Sequence, residues 1–184
     1  DFRASVRRIQ RHRILVVGSF IIGLDVDLPG IGRRIADAAI HYGLDNLNVL
    51  FLTPLPGTRL WDQLKAEGRI ALDAFPEDWK YYTLTFPVPR YKHLSRDESI
   101  AEMIACDRHF YSVPRILRRV VSRPWHWRKV LISLVSNLSY RGNIRLDCKA
   151  YADFKRELGN RRHRSSGVQE KGHLCAEPRD PQLV

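Results

Sequence analysis

The chain has 184 residues, 44% of them hydrophobic, and a net charge of +11. That is enough for one domain with a real core, or for one and a half small ones. It holds no apolar run of 18 residues, which excludes a membrane-spanning helix, and no apolar h-region follows Asp1–Arg8, so the start does not read as a signal peptide.

The charge is uneven. Residues 113–164 hold 14 Lys/Arg against 3 Asp/Glu, and the rest of the chain is balanced. The three cysteines, Cys106, Cys148 and Cys175, are far apart and odd in number. They form no C-x-x-C pair, which argues against a disulfide framework and against a local metal site. Free thiols in a reducing cytoplasm are the expectation.

Residues 2–12 form an expected amphipathic helix, with Phe2, Val6 and Ile9 on one side and Arg3, Arg7, Arg8 and Arg11 on the other. Ile14–Val17 and Phe20–Ile22 make a nearly continuous apolar run. Such a run suits a strand buried on both faces, and Gly18 within it implies a close approach or a bulge. Leu28-Pro29 is expected to open the next helix, with Asp27 near the cap and Gly43 as the stop. Leu47–Leu52 is a second buried strand, ended by Thr53-Pro-Leu-Pro-Gly57, because two prolines fix φ and remove donors. Thr58 caps a short helix carrying Leu60, Trp61 and Leu64, which stops at Gly68.

Residues 70–94, rich in aromatics and proline, read as an ordered irregular connection. Ser95-Arg-Asp-Glu98 is a capping box opening a helix to about Tyr111. Pro114 or Pro124 starts further helices. Trp127, Val130, Leu131, Leu134, Val135 and Leu138 give a strong amphipathic stripe, and Tyr151, Phe154 and Leu158 mark a last helix. From Gly159 to Val184 the polar, aperiodic chain is expected to be a disordered tail.

Strand, helix, strand makes a parallel unit whose two loops fall on one side. Asp25 and Asp27 follow the first strand, and Thr53 with the proline loop follows the second. Backbone N–H groups near Asp27–Gly32 are candidates for binding an anion. The alternative is that Asp27 only caps a helix and the prolines only shape a turn.

Val17-Gly-Ser-Phe-Ile-Ile-Gly-Leu-Asp-Val-Asp27, then Leu52-Thr-Pro-Leu-Pro-Gly-Thr-Arg-Leu60 and Glu67-Gly-Arg-Ile70, resemble the later half of the radical S-adenosylmethionine barrel. The subgroup with an N-terminal cobalamin-binding domain is the nearest. Asp78-Trp-Lys-Tyr-Tyr82, Phe86-Pro and the stretch Phe110–Arg119 resemble that subgroup's C-terminal extension. The likeness covers about residues 1–157.

The resemblance implies an α/β fold: a partial TIM-type (β/α) barrel of about two parallel strands over 1–69, the fifth and sixth of that family. A helical C-terminal extension follows over 70–158 and a tail over 159–184. It implies that Ile21 or Ile22, with Gly23, packs against the adenine of S-adenosylmethionine. Asp25 and Asp27 stand nearby, and Leu52, Thr53 and Pro54 give backbone contacts; an aromatic base suits a flat apolar wall with a few backbone hydrogen bonds.

The family's cofactors are S-adenosylmethionine, a [4Fe-4S] cluster and, in this subgroup, cobalamin. The cluster needs three cysteine thiolates on one loop, and the C-x-x-x-C-x-x-C loop does not occur here. The expectation is therefore a fragment that binds none of these cofactors alone, carries no catalytic residue or metal ligand, and has the preceding barrel and cobalamin domain as its partner. The whole enzyme would cleave S-adenosylmethionine reductively or transfer a methyl group through cobalamin. Arg13 departs from the family, which usually has glycine before the strand.

The basic segment has three readings. One is a cytoplasmic protein peripheral to an anionic membrane through residues 113–158, with Trp125 and Trp127 at headgroup level. Another is a nucleic-acid face, and the third is a solvated basic side of docked helices. Arg115, Arg118, Arg119 and Arg123 are expected to share that side. A basic helical module without enzymatic activity is the alternative to the enzyme reading. His109, His126 and His163 lack partners at ligand spacing and read as structural or surface residues.

Overall fold

A computed structural model describes residues 1–121 and 127–172, with side chains over 1–120 and 130–161. The chain divides into two compact units, Asp1–Leu146 and Asp147–Val184. Within the first unit, helix α4 (Arg96–Phe110) packs on helix α2 (Ile31–Tyr42).

Helix α1, Phe2–Arg11, starts where the Asp1 carboxylate accepts the Arg3 N–H at 3.1 Å. The chain leaves it through Arg13 at φ +66°. This is the left-handed region that favours glycine. Strand β1, Val17–Ile22, follows. Helix α2 begins after Gly30 (φ +89°) and stops at Gly43 (φ +74°). The expected start at Leu28-Pro29 is thus corrected: a turn closed by the Ile31 N–H on the Leu28 carbonyl, at 3.1 Å, occupies those residues.

Strand β2, Asn46–Phe51, pairs parallel with β1, from Val17 opposite Asn46 to Ile22 opposite Phe51. Helix α3, Arg59–Ala66, has Thr58 as its cap and Gly68 in the left-handed region after its end. The irregular segment contains only a 3-10 turn at Trp79–Tyr81 and a bridge between Ile70 and Pro89. Helix α4 carries the full Ser95–Glu98 capping box, and α5 spans Val113–Val121.

Helix α6 runs unbroken from Trp127 to Gly172. It replaces the two helices expected there and continues past Gly159, where a tail was expected; residues 173–184 lie outside the described residues. In the second unit, Tyr151, Phe154 and Leu158 are buried, and Arg156–Asp153 and Arg161–Glu157 pair along the helix.

The two faces of the sheet differ. Gly18, Phe20 and Ile22 share a face with Leu47, Val49 and Phe51, and α2 and α4 pack on the sheet. Gly18 is needed here, since a Cβ would lie 2.2 Å from Leu44 Cδ1. On the other face Val17 and Ile21 remain 51% and 47% exposed. Burial on both faces is therefore corrected for β1; on this side, among the described residues, the contact comes only at Asn46 of β2, which donates to Ser136 of α6 at 2.6 Å.

The two edges differ as well. The bonds Asn46 N–H to Val16 C=O and Leu52 N–H to Ile22 C=O fix the ladder's phase. In that phase residues 47, 49 and 51 of β2 turn their backbone groups outward. The Tyr111 hydroxyl donates to the Leu47 carbonyl at 2.7 Å and accepts the Leu47 N–H at 2.9 Å. The Phe51 N–H donates to the Leu84 carbonyl at 2.8 Å. The outer edge of β2 is thus closed at both ends. On β1 the outward residues are Val17, Ser19 and Ile21, and their backbone groups make no hydrogen bond to any described residue.

Candidate functional site

The two loops expected to lie side by side do so. The Leu52 N–H on the Ile22 carbonyl, at 2.8 Å, joins them at the ends of β1 and β2. Ile21 is half-exposed on the open face, whereas Ile22 is fully buried on the helix-covered face. Alternation along a strand separates the two, so only Ile21 offers an accessible apolar surface.

Gly23 takes φ +103°, and a Cβ there would sit 2.3 Å from the Tyr91 ring. That ring stacks on Phe51, and its hydroxyl donates to the Leu52 carbonyl at 3.1 Å. Burial pushes the Tyr91 phenol well above its ordinary range. Tyr91 therefore ties both strand ends together from beneath. Thr53 and Pro54 are buried, and the Thr53 hydroxyl donates to the Phe51 carbonyl at 3.1 Å.

Asp27 is 5% exposed, and one of its carboxylate oxygens accepts the Gly23 and Leu24 N–H groups at 2.8 and 2.9 Å. It shapes the turn after β1. Asp25 is exposed and receives two bonds from the Arg69 guanidinium, at 2.7 and 3.3 Å. Arg69 also holds Glu67 at 2.9 Å and donates to the Arg90 carbonyl. Its hydrogen bonds hold both the Asp25 and the Glu67 carboxyls below the usual carboxylate range. The cluster pins the loop after β1 to the segment after α3.

The N-terminus of α2 does attract an anion, but the anion is internal. Glu102 of α4 accepts the Gly30 N–H at 2.6 Å and the Gly32 N–H at 2.8 Å. Favourable dipole and backbone donors explain the pairing, and they correct the expectation of a free anion site near Asp27–Gly32.

Among the described residues no group of His, Cys, Asp and Glu is placed to hold a metal. Cys106 is buried between α4 and α2, and burial raises its thiol pKa, which keeps it protonated. A buried thiol of that kind is not a thiolate ligand. Among the described residues, Cys106 and Cys148 do not supply the three thiolates that an iron–sulfur cluster needs. His109 pairs with Asp37 at 2.7 Å, a structural contact between α4 and α2.

The shared basic side is also corrected. Arg115 donates to the His109 carbonyl at 2.8 Å. Arg119 lies over the Phe110 ring at 4.0 Å and donates to the Phe110 carbonyl and to Asn137. Only Arg118 of the four is exposed and described; Arg123 lies outside the described residues.

Sequence reasoning missed Tyr91, Tyr111 and Glu102. Each acts over a long sequence separation on a backbone group, and no local pattern marks such a contact. Arg69 lay inside a noticed motif, but its partner 44 residues away was not visible.

No family model matches the chain, and no solved structure does. Three curated proteins do match. One is the hopanoid C-2 methylase of Rhodopseudomonas palustris, 31% identical over 115 residues, or 62% of this chain and 20% of that protein. Another is the bacteriochlorophyllide d C-12(1)-methyltransferase of Chlorobaculum tepidum, 24% identical over 127 residues, or 69% of this chain and 26% of that protein. A third is an uncharacterized methyltransferase of Pyrococcus horikoshii, 27% identical over 117 residues, or 61% of this chain and 24% of that protein. The chain thus spans at most about a quarter of the length of these relatives, and all three are named for methyl transfer.

Proposed function

We propose that residues 1–69 supply two adjacent strands of a radical S-adenosylmethionine (β/α) barrel, within a longer methyltransferase. Residues 70–158 form its C-terminal extension. The single observation that carries this reading is the asymmetry of the sheet. The edge of β2 is closed by Tyr111 and Leu84, as a last strand requires. The edge of β1 is open, and Val17 and Ile21 are exposed beside it, as an inner strand requires before its neighbour is added. The names of the three relatives support methyl transfer as the chemistry.

In this reading Ile21 is the apolar wall for the adenine of S-adenosylmethionine, Gly23 lets the chain turn beside it, and the Leu52–Pro54 loop borders it. Asp27 and Tyr91 hold that loop geometry and touch no cofactor, and Asp25 acts through Arg69. When bound, S-adenosylmethionine supplies the group transferred. The cluster and cobalamin are assigned to sequence outside these 184 residues, because the cysteines here do not suit a cluster.

The test is equilibrium binding of S-adenosylmethionine to the gene product that contains these residues, beside the Ile21→Asp variant. A charge at the apolar wall should weaken binding about tenfold or more. Unchanged affinity in a folded Ile21→Asp protein would remove Ile21 from the site. The 184-residue chain alone should neither bind S-adenosylmethionine nor transfer a methyl group.

A further inference from the structure

The first turns of α6 are inserted the unexpected way round. The side that docks is polar. Ser133 and Asn137 are buried, the Asn137 amide donates to the Ser133 carbonyl at 2.8 Å and to the Asp45 carbonyl at 3.4 Å, and Arg119 donates to its oxygen at 2.6 Å. Ser136 accepts from Asn46 at 2.6 Å, and the Tyr140 ring stacks on Tyr111 at 5.4 Å. The apolar stripe points the other way: Leu131, Ile132, Val135 and Leu138 are 52%, 56%, 58% and 48% exposed. A helix that satisfies its polar side internally and presents leucine, isoleucine and valine to the outside has inverted the usual arrangement.

The segment that carries that ridge is of one sign. Residues 113–146 contain eight Lys/Arg and no Asp/Glu. Arg118 and Arg145 are exposed. No helix among the described residues is long and apolar enough to cross a membrane. An apolar ridge on a single helix, set in a wholly cationic segment, has the composition of a helix that lies in a lipid headgroup layer. An acidic polypeptide or nucleic acid would use the charge but leave the ridge unexplained.

We propose that the α6 ridge Leu131, Ile132, Val135 and Leu138 docks this chain onto an anionic lipid surface, with the neighbouring arginines at headgroup level. The test is flotation of the 184-residue chain with phosphatidylcholine vesicles, with and without phosphatidylglycerol. Ile132→Asp/Val135→Asp is the variant, because both positions are exposed and its fold can be checked by circular dichroism. The chain should float with the anionic vesicles far more than with phosphatidylcholine alone. The double variant should lower partitioning about tenfold or more, and Arg118→Gln/Arg145→Gln should lower it less and remove part of the salt dependence.

Three results would overturn the proposal. One is equal flotation with both vesicle types. Another is anionic binding that the aspartate pair leaves unchanged, which would mean charge alone. The third is a dimer, seen by light scattering, that the aspartate pair breaks while no vesicle binding occurs, which would make the ridge a contact with a second copy.

Discussion

Tyr111→Phe isolates one atom on which the closed edge of the sheet depends. The hydroxyl holds both the N–H and the C=O of Leu47, at 2.9 and 2.7 Å, and both residues are 1% exposed. Phenylalanine keeps the ring, its edge contact with Phe110 and its stack on Tyr140. The loss is therefore confined to two buried backbone groups left without partners, each worth about 1–3 kcal/mol. The two are not independent, so about 2–4 kcal/mol is expected. Urea unfolding measures it, with Tyr140→Phe as a control that should change stability little. Native-state exchange at the Leu47 amide should speed up in Tyr111→Phe alone.

The same residue has an alkaline signature. Burial, above all, raises the Tyr111 phenol above its ordinary value. The unfolded tyrosine ionises from about pH 10, while the folded one stays neutral to higher pH. The unfolded state then binds fewer protons, so stability is intact below about pH 10 and falls as pH rises beyond it. The fall is up to about 1.4 kcal/mol per pH unit for each such tyrosine. Tyr91 adds to this fall, as does Tyr82, whose phenol is pushed up to about 12. Tyr111→Phe should make it shallower by one tyrosine's share. A cost below about 0.5 kcal/mol, with Leu47 exchange unchanged, would refute the edge argument.

Three further substitutions probe how the elements fit. Gly32→Ala should destabilise by about 2 kcal/mol in thermal unfolding, although alanine is the better helix former by about 1 kcal/mol. Its Cβ would lie 2.1 Å from the Glu102 carbonyl oxygen of α4. Arg13→Gly should stabilise by about 0.5–1 kcal/mol by relieving the left-handed residue at φ +66°. Glu102→Ala should cost about 1–2 kcal/mol and unravel the first turn of α2, visible as faster exchange at Gly30 and Gly32, whose N–H groups it holds.

The regular elements of the N-terminal half were legible because local chemistry decides them. Gly43, Thr58 and the Ser95–Glu98 box each end or begin a helix by a contact within a few residues. The capping of α2 was not legible. Asp27 has the right residue type, but its carboxylate is taken by the turn, and the helix end is served by Glu102, 70 residues later. The stripe on α6 was legible as periodicity and misleading as to direction. Periodicity finds an apolar side and cannot say whether that side faces the core or the outside. The expected strand pair was found, yet its apolar residues are buried on one face only. Of the site residues, Ile21 and Ile22 could be told apart only once the register was fixed.

Residue-resolved amide exchange on β1 tests the central claim most directly. In the 184-residue chain the amides of Val17, Ser19 and Ile21 should exchange quickly, while those of Gly18, Phe20 and Ile22, turned toward β2, should be slow. In the longer gene product Val17, Ser19 and Ile21 should become protected, because a further strand then pairs with them. Protection of those three in the isolated chain, or fast exchange in the longer protein, would contradict the assignment of β1 as an inner strand of a barrel.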